Sequence, residues 1–230
     1  MTLGRCLVTG GRGFIGARLV AALRADGVTL RVLTRGDVPG PDEVRGELAD
    51  PDRLARACEG VDTVFHCAGH AHAFGALSAD EAARHRQVNF EGTRALAEAA
   101  GRAGVRRFVF LSSVKAMGEP GDVCIDEDWP MPPQSAYGGA KRAAEDALLA
   151  AGARYAMQVT SLRLAMVYGA GGRLIESRYV NRSATFVFNI GERFYGSMTA
   201  YVRGPESKNY DFTSALPVQL LVSLAPSLMP

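Results

Sequence analysis

Lysine is scarce in this chain of 230 residues: it occurs three times, against 23 arginines. Neither sign of charge dominates, with 26 basic and 24 acidic side chains and a net charge of +2. No basic cluster is interleaved with aromatics. These absences argue against nucleic acid or a membrane surface as partner. The four cysteines, Cys6, Cys58, Cys67 and Cys124, lack CxxC spacing. That argues against a disulfide framework and for reduced thiols in a cytosolic chain. No charged-then-apolar leader opens the sequence. No apolar run reaches the roughly 18 residues that a membrane span requires. The expectation is a soluble, cytoplasmic protein with one generous domain, or one domain and a fragment.

What the chain does have is alternation. "RCLVTG", "VTLRVLT", the weaker "VRGEL", "DTVFHCAG", "RRFVFLSS" and "MQVTSLRLAMVYG" read as strands. Between them lie Ala/Leu-rich helical runs. One runs from Phe14 and stops at Gly27, and a short one starts at Pro51. A long one over 79–104 contains Gly92, and one over 136–152 has Ser135 as its N-cap. Repeated strand–helix alternation predicts an α/β fold: a doubly wound, Rossmann-type parallel sheet with helices on both faces. After Gly172 alanine thins out, serine, asparagine and aromatics become frequent, and the alternation stops. The expected organisation is a dinucleotide-binding domain over 1–172 and an atypical tail over 173–230.

The segment "VTGGRGFIG" places Gly10, Gly13 and Gly16 at the first strand–helix junction. In that context the first glycine permits a tight turn and the second lets backbone approach a pyrophosphate. The third allows close helix–strand packing. Arg12, Phe14 and Ile15 complete this loop, and the helix N-terminus offers free N–H groups to the anion. A ribose-binding acid is expected roughly 20 residues on. The sequence there reads Leu33-Thr34-Arg35. Arg35, helped by Arg12, would suit a 2′-phosphate, so the cofactor is NADP or NAD, with NADP favoured.

One of the rare lysines stands four residues after a tyrosine, in "SAYGGAK". On a helix, Tyr137 and Lys141 share a face. Ser113 ends the "FVFLSS" strand at the carboxyl edge of the sheet, where open α/β sheets bind ligands. A tyrosine with an ordinary pKa near 10 is a poor base at neutral pH. Lowering it by about 2–3 units needs roughly 3–4 kcal/mol of phenolate stabilisation. The nearby ammonium and the charged nicotinamide are the available sources. Ser113 would orient a carbonyl or alcohol while Tyr137 moves its proton.

Together "VTGGRGFIG", "VFHCAG", "VNFEGT", "FVFLSSVKAMGE", "SAYGGAK" and "LRLAMVYG" resemble the extended short-chain dehydrogenase/reductase family, in its NAD-dependent epimerase/dehydratase branch. The likeness is strongest to UDP-glucose 4-epimerase-like members. It implies catalytic roles for Ser113, Tyr137 and Lys141, with Lys141 also holding the nicotinamide ribose. It places Glu47 and Leu48 against adenine, Ala68 and Gly69 along the pyrophosphate, and Asn89 at the family's helix asparagine. The implied enzyme is an NAD(P)-dependent oxidoreductase or epimerase of a nucleotide sugar, with a homodimer as its form. A reductase of another small carbonyl compound, and a cofactor-binding protein with little turnover, are the alternatives. Ala165 replaces the proline usual in "LRP", which would loosen the nicotinamide pocket. Gly139 and Ala140 replace bulkier or polar residues between the tyrosine and the lysine. Two glycines in one helix, Gly138 and Gly139, call for tertiary support. His66, Cys67, His70 and His72 lack metal-ligand spacing, and no metal is expected. The tail is read as a truncated or rearranged end, or as a compact lid, where the family carries its sugar-binding lobe.

Overall fold

The computed structural model describes residues 3–36, 40–70, 79–120, 123, 125–126, 129–164 and 167, and the backbone of 181–190 and 194–203. His72, Cys124, Ala165 and the remainder of the tail lie outside these residues. The chain divides into two compact units, Met1–Val167 and Tyr168–Pro230.

In the first unit six strands form one sheet in the order β3-β2-β1-β4-β5-β6. They are β1 (Cys6–Thr9), β2 (Leu30–Thr34), β3 (Glu43–Arg45), β4 (Thr63–His66), β5 (Arg107–Ser113) and β6 (Gln158–Leu164). Every pairing is parallel. The strand order reverses between β1 and β4, which opens a crevice at the carboxyl ends of those strands. The fold is therefore the expected doubly wound Rossmann type. β1 shows how two-faced burial works. Leu7 joins a core with Val64, Phe108, Leu54, Leu96 and Leu148 on one side of the sheet. Val8, its neighbour, packs with Val20, Leu23 and Val32 on the other, because successive strand residues point to opposite faces.

The helices are α1 (Phe14–Ala25), α2 (Pro51–Cys58), α3 (Ala79–His85), α4 (Gly92–Arg102) and α5 (Ala136–Tyr155). α2 begins at Pro51 as expected, capped by the Asp50 side chain, which accepts from the Arg53 N–H. Ser135 caps α5 by accepting from the Gly138 N–H at 3.1 Å. The long helix expected over 79–104 is instead broken. Between α3 and α4 residues Arg86–Glu91 form a π-helical segment, a wide turn often found at functional sites. Gly92 then follows because a Cβ there would lie 2.8 Å from Cβ of Leu48.

The two glycines of α5 differ. A side chain at Gly138 would run into the Lys115 carbonyl, whereas Gly139 faces open space. Gly139→Ala should therefore stabilise the protein by about 0.5–1 kcal/mol, through lost unfolded-state entropy. Gly138→Ala should destabilise it. Urea denaturation of both variants checks the pair, and a lowered midpoint for Gly139→Ala counts against the assignment.

The second unit contributes an antiparallel pair, β7 (Asn181–Ile190) with β8 (Phe194–Arg203), in register from Asn181 opposite Arg203 to Ile190 opposite Phe194.

Candidate active site

The reversal of strand order creates a cavity of about 890 Å³ along the carboxyl edge of the sheet. That is within the range of about 300–1,000 Å³ common for small-molecule sites. Its floor is the β1–α1 loop. Gly10 sits at φ +68°, and a Cβ there would come 2.6 Å from the Ala68 backbone nitrogen. Gly16 packs so closely on the Gly10 carbonyl that no side chain fits between them. Gly13 is the N-cap of α1. It offers no side-chain cap, and the first turn carries no acid. The first-turn N–H groups are thus left for an anion. These features fit a dinucleotide: Gly10, Gly13 and the turn after them would hold its pyrophosphate. Phe14 and Ile15 open α1, both half-buried, with the Arg18 guanidinium 4.2 Å over the Phe14 ring.

Arg35, Glu47, Leu48, Ala68 and Gly69 all line the cavity. Arg12 lines it too, but it is committed elsewhere. Its Nε donates to Glu43 Oε1 at 3.0 Å, and Nη2 donates to Oε2. This grip, with the Gly40 N–H, pulls the Glu43 carboxyl down to about 2. The expected help of Arg12 to a 2′-phosphate therefore competes with an acid from β3, which is distant in sequence. Asn89 is likewise occupied. It is buried in the π-helical turn, its Oδ1 accepts from the His70 N–H at 2.7 Å, and its Nδ2 donates to the His70 carbonyl at 2.8 Å. It clamps the loop after β4.

Ser113 ends β5, and its hydroxyl accepts from the Lys115 N–H, which starts the 3₁₀ turn Val114–Met117. The Tyr137 phenol lies near enough to the same hydroxyl to feel its influence. One turn below, the Lys141 ammonium lies 6.0 Å from the Tyr137 ring centroid and 4.5 Å above the Phe110 ring. It donates to the Leu111 carbonyl at 2.8 Å. The α5 face thus brings serine, phenol and ammonium together as the spacing implied. The electrostatics differ from expectation. Burial raises the Tyr137 phenol, and the nearby Ser113 hydroxyl only partly offsets this. Burial also pulls Lys141 down to about 8, against the opposing pull of Glu145. At both groups desolvation is the larger influence.

A profile of the NAD dependent epimerase/dehydratase family matches residues 6–215. The chain belongs to that family. It is 36% identical to a 3-beta-hydroxysteroid dehydrogenase of Mycolicibacterium neoaurum over 74% of this chain and 49% of that protein. It is 34% identical to a UDP-glucose 4-epimerase of Vibrio cholerae over 72% of this chain and 52% of that one. Among solved structures it resembles MoeE5 in complex with UDP-glucuronic acid and NAD. That match has TM-score 0.65 and 35% identity, covering 74% of this chain and 57% of that one. A Thermus thermophilus UDP-glucose 4-epimerase solved with NAD gives TM-score 0.60 and 34% identity, over 69% of this chain and 54% of that one. The chain spans about half the length of these relatives.

Within this epimerase/dehydratase framework the histidines divide by role. His66 is fully buried, with Nδ1 2.6 Å from Thr9 Oγ1 and Nε2 2.9 Å from Thr93 Oγ1. The Thr93 hydroxyl donates to the Asn89 carbonyl, so Nε2–H of His66 donates to Thr93 and Nδ1 accepts from Thr9. Burial holds this ring neutral, pushed down to about 3. His66 is a strut between β1, β4 and α4. His70 gathers instead with Glu81 and His85, one ligand atom from each lying within 4.8 Å of the others. There His85 Nδ1 faces the Asn89 amide at 3.3 Å, and its ring lies 4.9 Å from that of His70. With Nδ1 so engaged and its ring 5.5 Å from that of Tyr137, His85 walls the phenol.

Sequence reasoning missed Glu145 and Arg163. Glu145 lies four residues after Lys141, the spacing that already linked Lys141 to Tyr137, so the signal was present. Arg163 carried none, since its partner is 18 residues away. Among the described residues Cys6, Cys58 and Cys67 are free, and no helix is long and apolar enough to cross a membrane.

Proposed function

We propose that this chain carries the cofactor site and proton-transfer groups of an NAD(P)-dependent oxidoreductase or epimerase acting on a nucleotide sugar. The observation that carries the reading is the Ser113 hydroxyl near a half-buried phenol with a buried ammonium one turn below, beside a dinucleotide-sized cavity. The nicotinamide cofactor would supply the hydride acceptor or donor. The chain's own residues handle the oxygen. Ser113 orients the substrate hydroxyl or carbonyl. Tyr137 gives its phenolic proton to the oxygen on reduction and takes it back on oxidation. A phenol raised by burial is the neutral acid, ready for the reductive direction. Oxidation requires added positive charge beside it, from Lys141 and a charged nicotinamide. UDP-sugars support the reading because MoeE5 and the V. cholerae relative are named for them or solved with them. Turnover of a UDP-sugar panel, followed by nicotinamide absorbance or product sugar analysis, tests it. No turnover of any UDP-sugar by a cofactor-saturated chain would remove that substrate class.

A second reading, reduction of another small carbonyl compound, is favoured by the residue beside Ser113. Val114 is apolar and 44% exposed, a surface that suits a less polar substrate than a sugar. The steroid dehydrogenase relative points the same way.

For the cofactor, solved neighbours bind NAD. NADP preference is proposed from Arg35, which lines the cavity where an acid would otherwise read the ribose. Calorimetry should show NADPH binding more tightly than NADH, with Arg35→Ala erasing most of the difference. A clear NADH preference in the parent chain would overturn this, and Glu43 with Arg12 would then be the place to look.

A further inference from the structure

We propose that Glu145, clamped by Arg163 and Ser112, is a positioning residue that keeps the Lys141 ammonium charged and in place beneath Tyr137. The inference rests on Lys141 working at the site as proposed above, but it can be read directly on the lysine.

Tyr137, Lys141 and Glu145 stand at successive fourth positions of α5 and so share one face. Glu145 is 3% exposed, yet its carboxylate is fully paired. From β6, Arg163 donates Nε to Oε1 and Oε2 at 3.1 and 3.2 Å and Nη2 to Oε2 at 2.8 Å. From β5, the Ser112 hydroxyl donates to Oε1. One carboxylate therefore ties α5 to both strands. Ser112 is the chain neighbour of Ser113, so the same clamp holds the end of β5 that carries Ser113 against α5. An isolated buried carboxylate would be strongly disfavoured, and Arg163 in a planar bidentate grip makes the charge tolerable.

The charge balance around Lys141 points to the same residue. Tyr137 and Glu145 face it from its own helix. His66 and Cys67 face it from the end of β4, and Arg163 reaches it from β6 through Glu145. His66 is held neutral, and burial pushes the Cys67 thiol up to about 11. Tyr137 is an uncharged phenol. Glu145 is thus the anion that offsets the desolvation of Lys141, and Arg163 is the cation that keeps that anion from being wholly spent on it.

Opposite substitutions should therefore move Lys141 in opposite directions. The chain has only three lysines, Lys115, Lys141 and Lys208, so ¹³C/¹⁵N-lysine labelling yields a resolvable titration for each. In the parent, Lys141 should titrate near 8. Glu145→Gln removes the anion that favours the charged ammonium and should lower that midpoint by about one pH unit or more. Arg163→Gln leaves Glu145 facing Lys141 and should raise it. Ser112→Ala removes a hydrogen bond without changing charge and should leave it in place. A merely structural clamp would reduce stability in all three variants without this reversal of sign. An unmoved Lys141 in Glu145→Gln, a shift of the same sign in the Glu145 and Arg163 variants, or an equal shift in Ser112→Ala would overturn the proposal. If Glu145→Gln fails to fold, Arg163→Gln decides alone: no upward shift overturns it. None of these signals needs substrate, so failure of the nucleotide-sugar reading leaves the test intact.

Discussion

Tyr137→Phe should lower turnover by at least ~10²-fold while leaving cofactor affinity within a few-fold of the parent. The substitution removes one oxygen and keeps the ring that packs 5.5 Å from His85. The fold therefore has little reason to respond. What is lost is the hydroxyl that meets Ser113 and would pass the proton. Lys141 keeps its bond to the Leu111 carbonyl. The variant should therefore separate kcat from binding. The measurement pairs steady-state rates, on whichever UDP-sugar or small ketone the parent turns over, with calorimetric titration of NAD(P)H. Undiminished turnover would remove Tyr137 from the chemistry and leave the cluster as a packing arrangement.

Gly10→Ala should act on fold and cofactor together. The residue adopts φ +68°, and its missing Cβ would fall 2.6 Å from the Ala68 nitrogen and 2.8 Å from the Cys67 carbonyl carbon. Both neighbours are main chain and cannot swing aside. The left-handed conformation costs a non-glycine residue about 1–2 kcal/mol. Displacing packed backbone adds about 1–3 kcal/mol. The summed loss of about 2–5 kcal/mol should appear as a lower denaturation midpoint. The β1–α1 loop and the loop after β4 must also move apart, so cofactor affinity should fall by at least about tenfold. A variant with parental stability and parental NAD(P)H affinity would mean that this loop does not carry the pyrophosphate. Gly139→Ala, in open space on α5, is the internal control.

Local chemistry along the chain determined the sheet class, the glycine loop and the partnership of Tyr137 with Lys141. Each depends on a short-range period or a backbone requirement. Apolar strands alternating with helices demand two buried sheet faces. A glycine at a strand–helix junction marks a turn that only glycine makes cheaply. Residues four apart on a helix must share a side. Local chemistry also placed Ser135 at the start of α5, because a cap acts on its own first turn. Tertiary structure decided what depends on partners distant in sequence. Arg12 looked free until β3 brought Glu43 against it. Asn89 was singled out by the resemblance, but only the π-helical turn shows its amide set on the His70 backbone. The phenol and the ammonium looked like mutual stabilisers, but burial turned both toward their neutral forms. Glu145 and Arg163 meet only because β6 lies beside β5 and α5 covers them. Desolvation and ion pairing are sums over everything nearby in space, and a linear sequence does not state which residues those are.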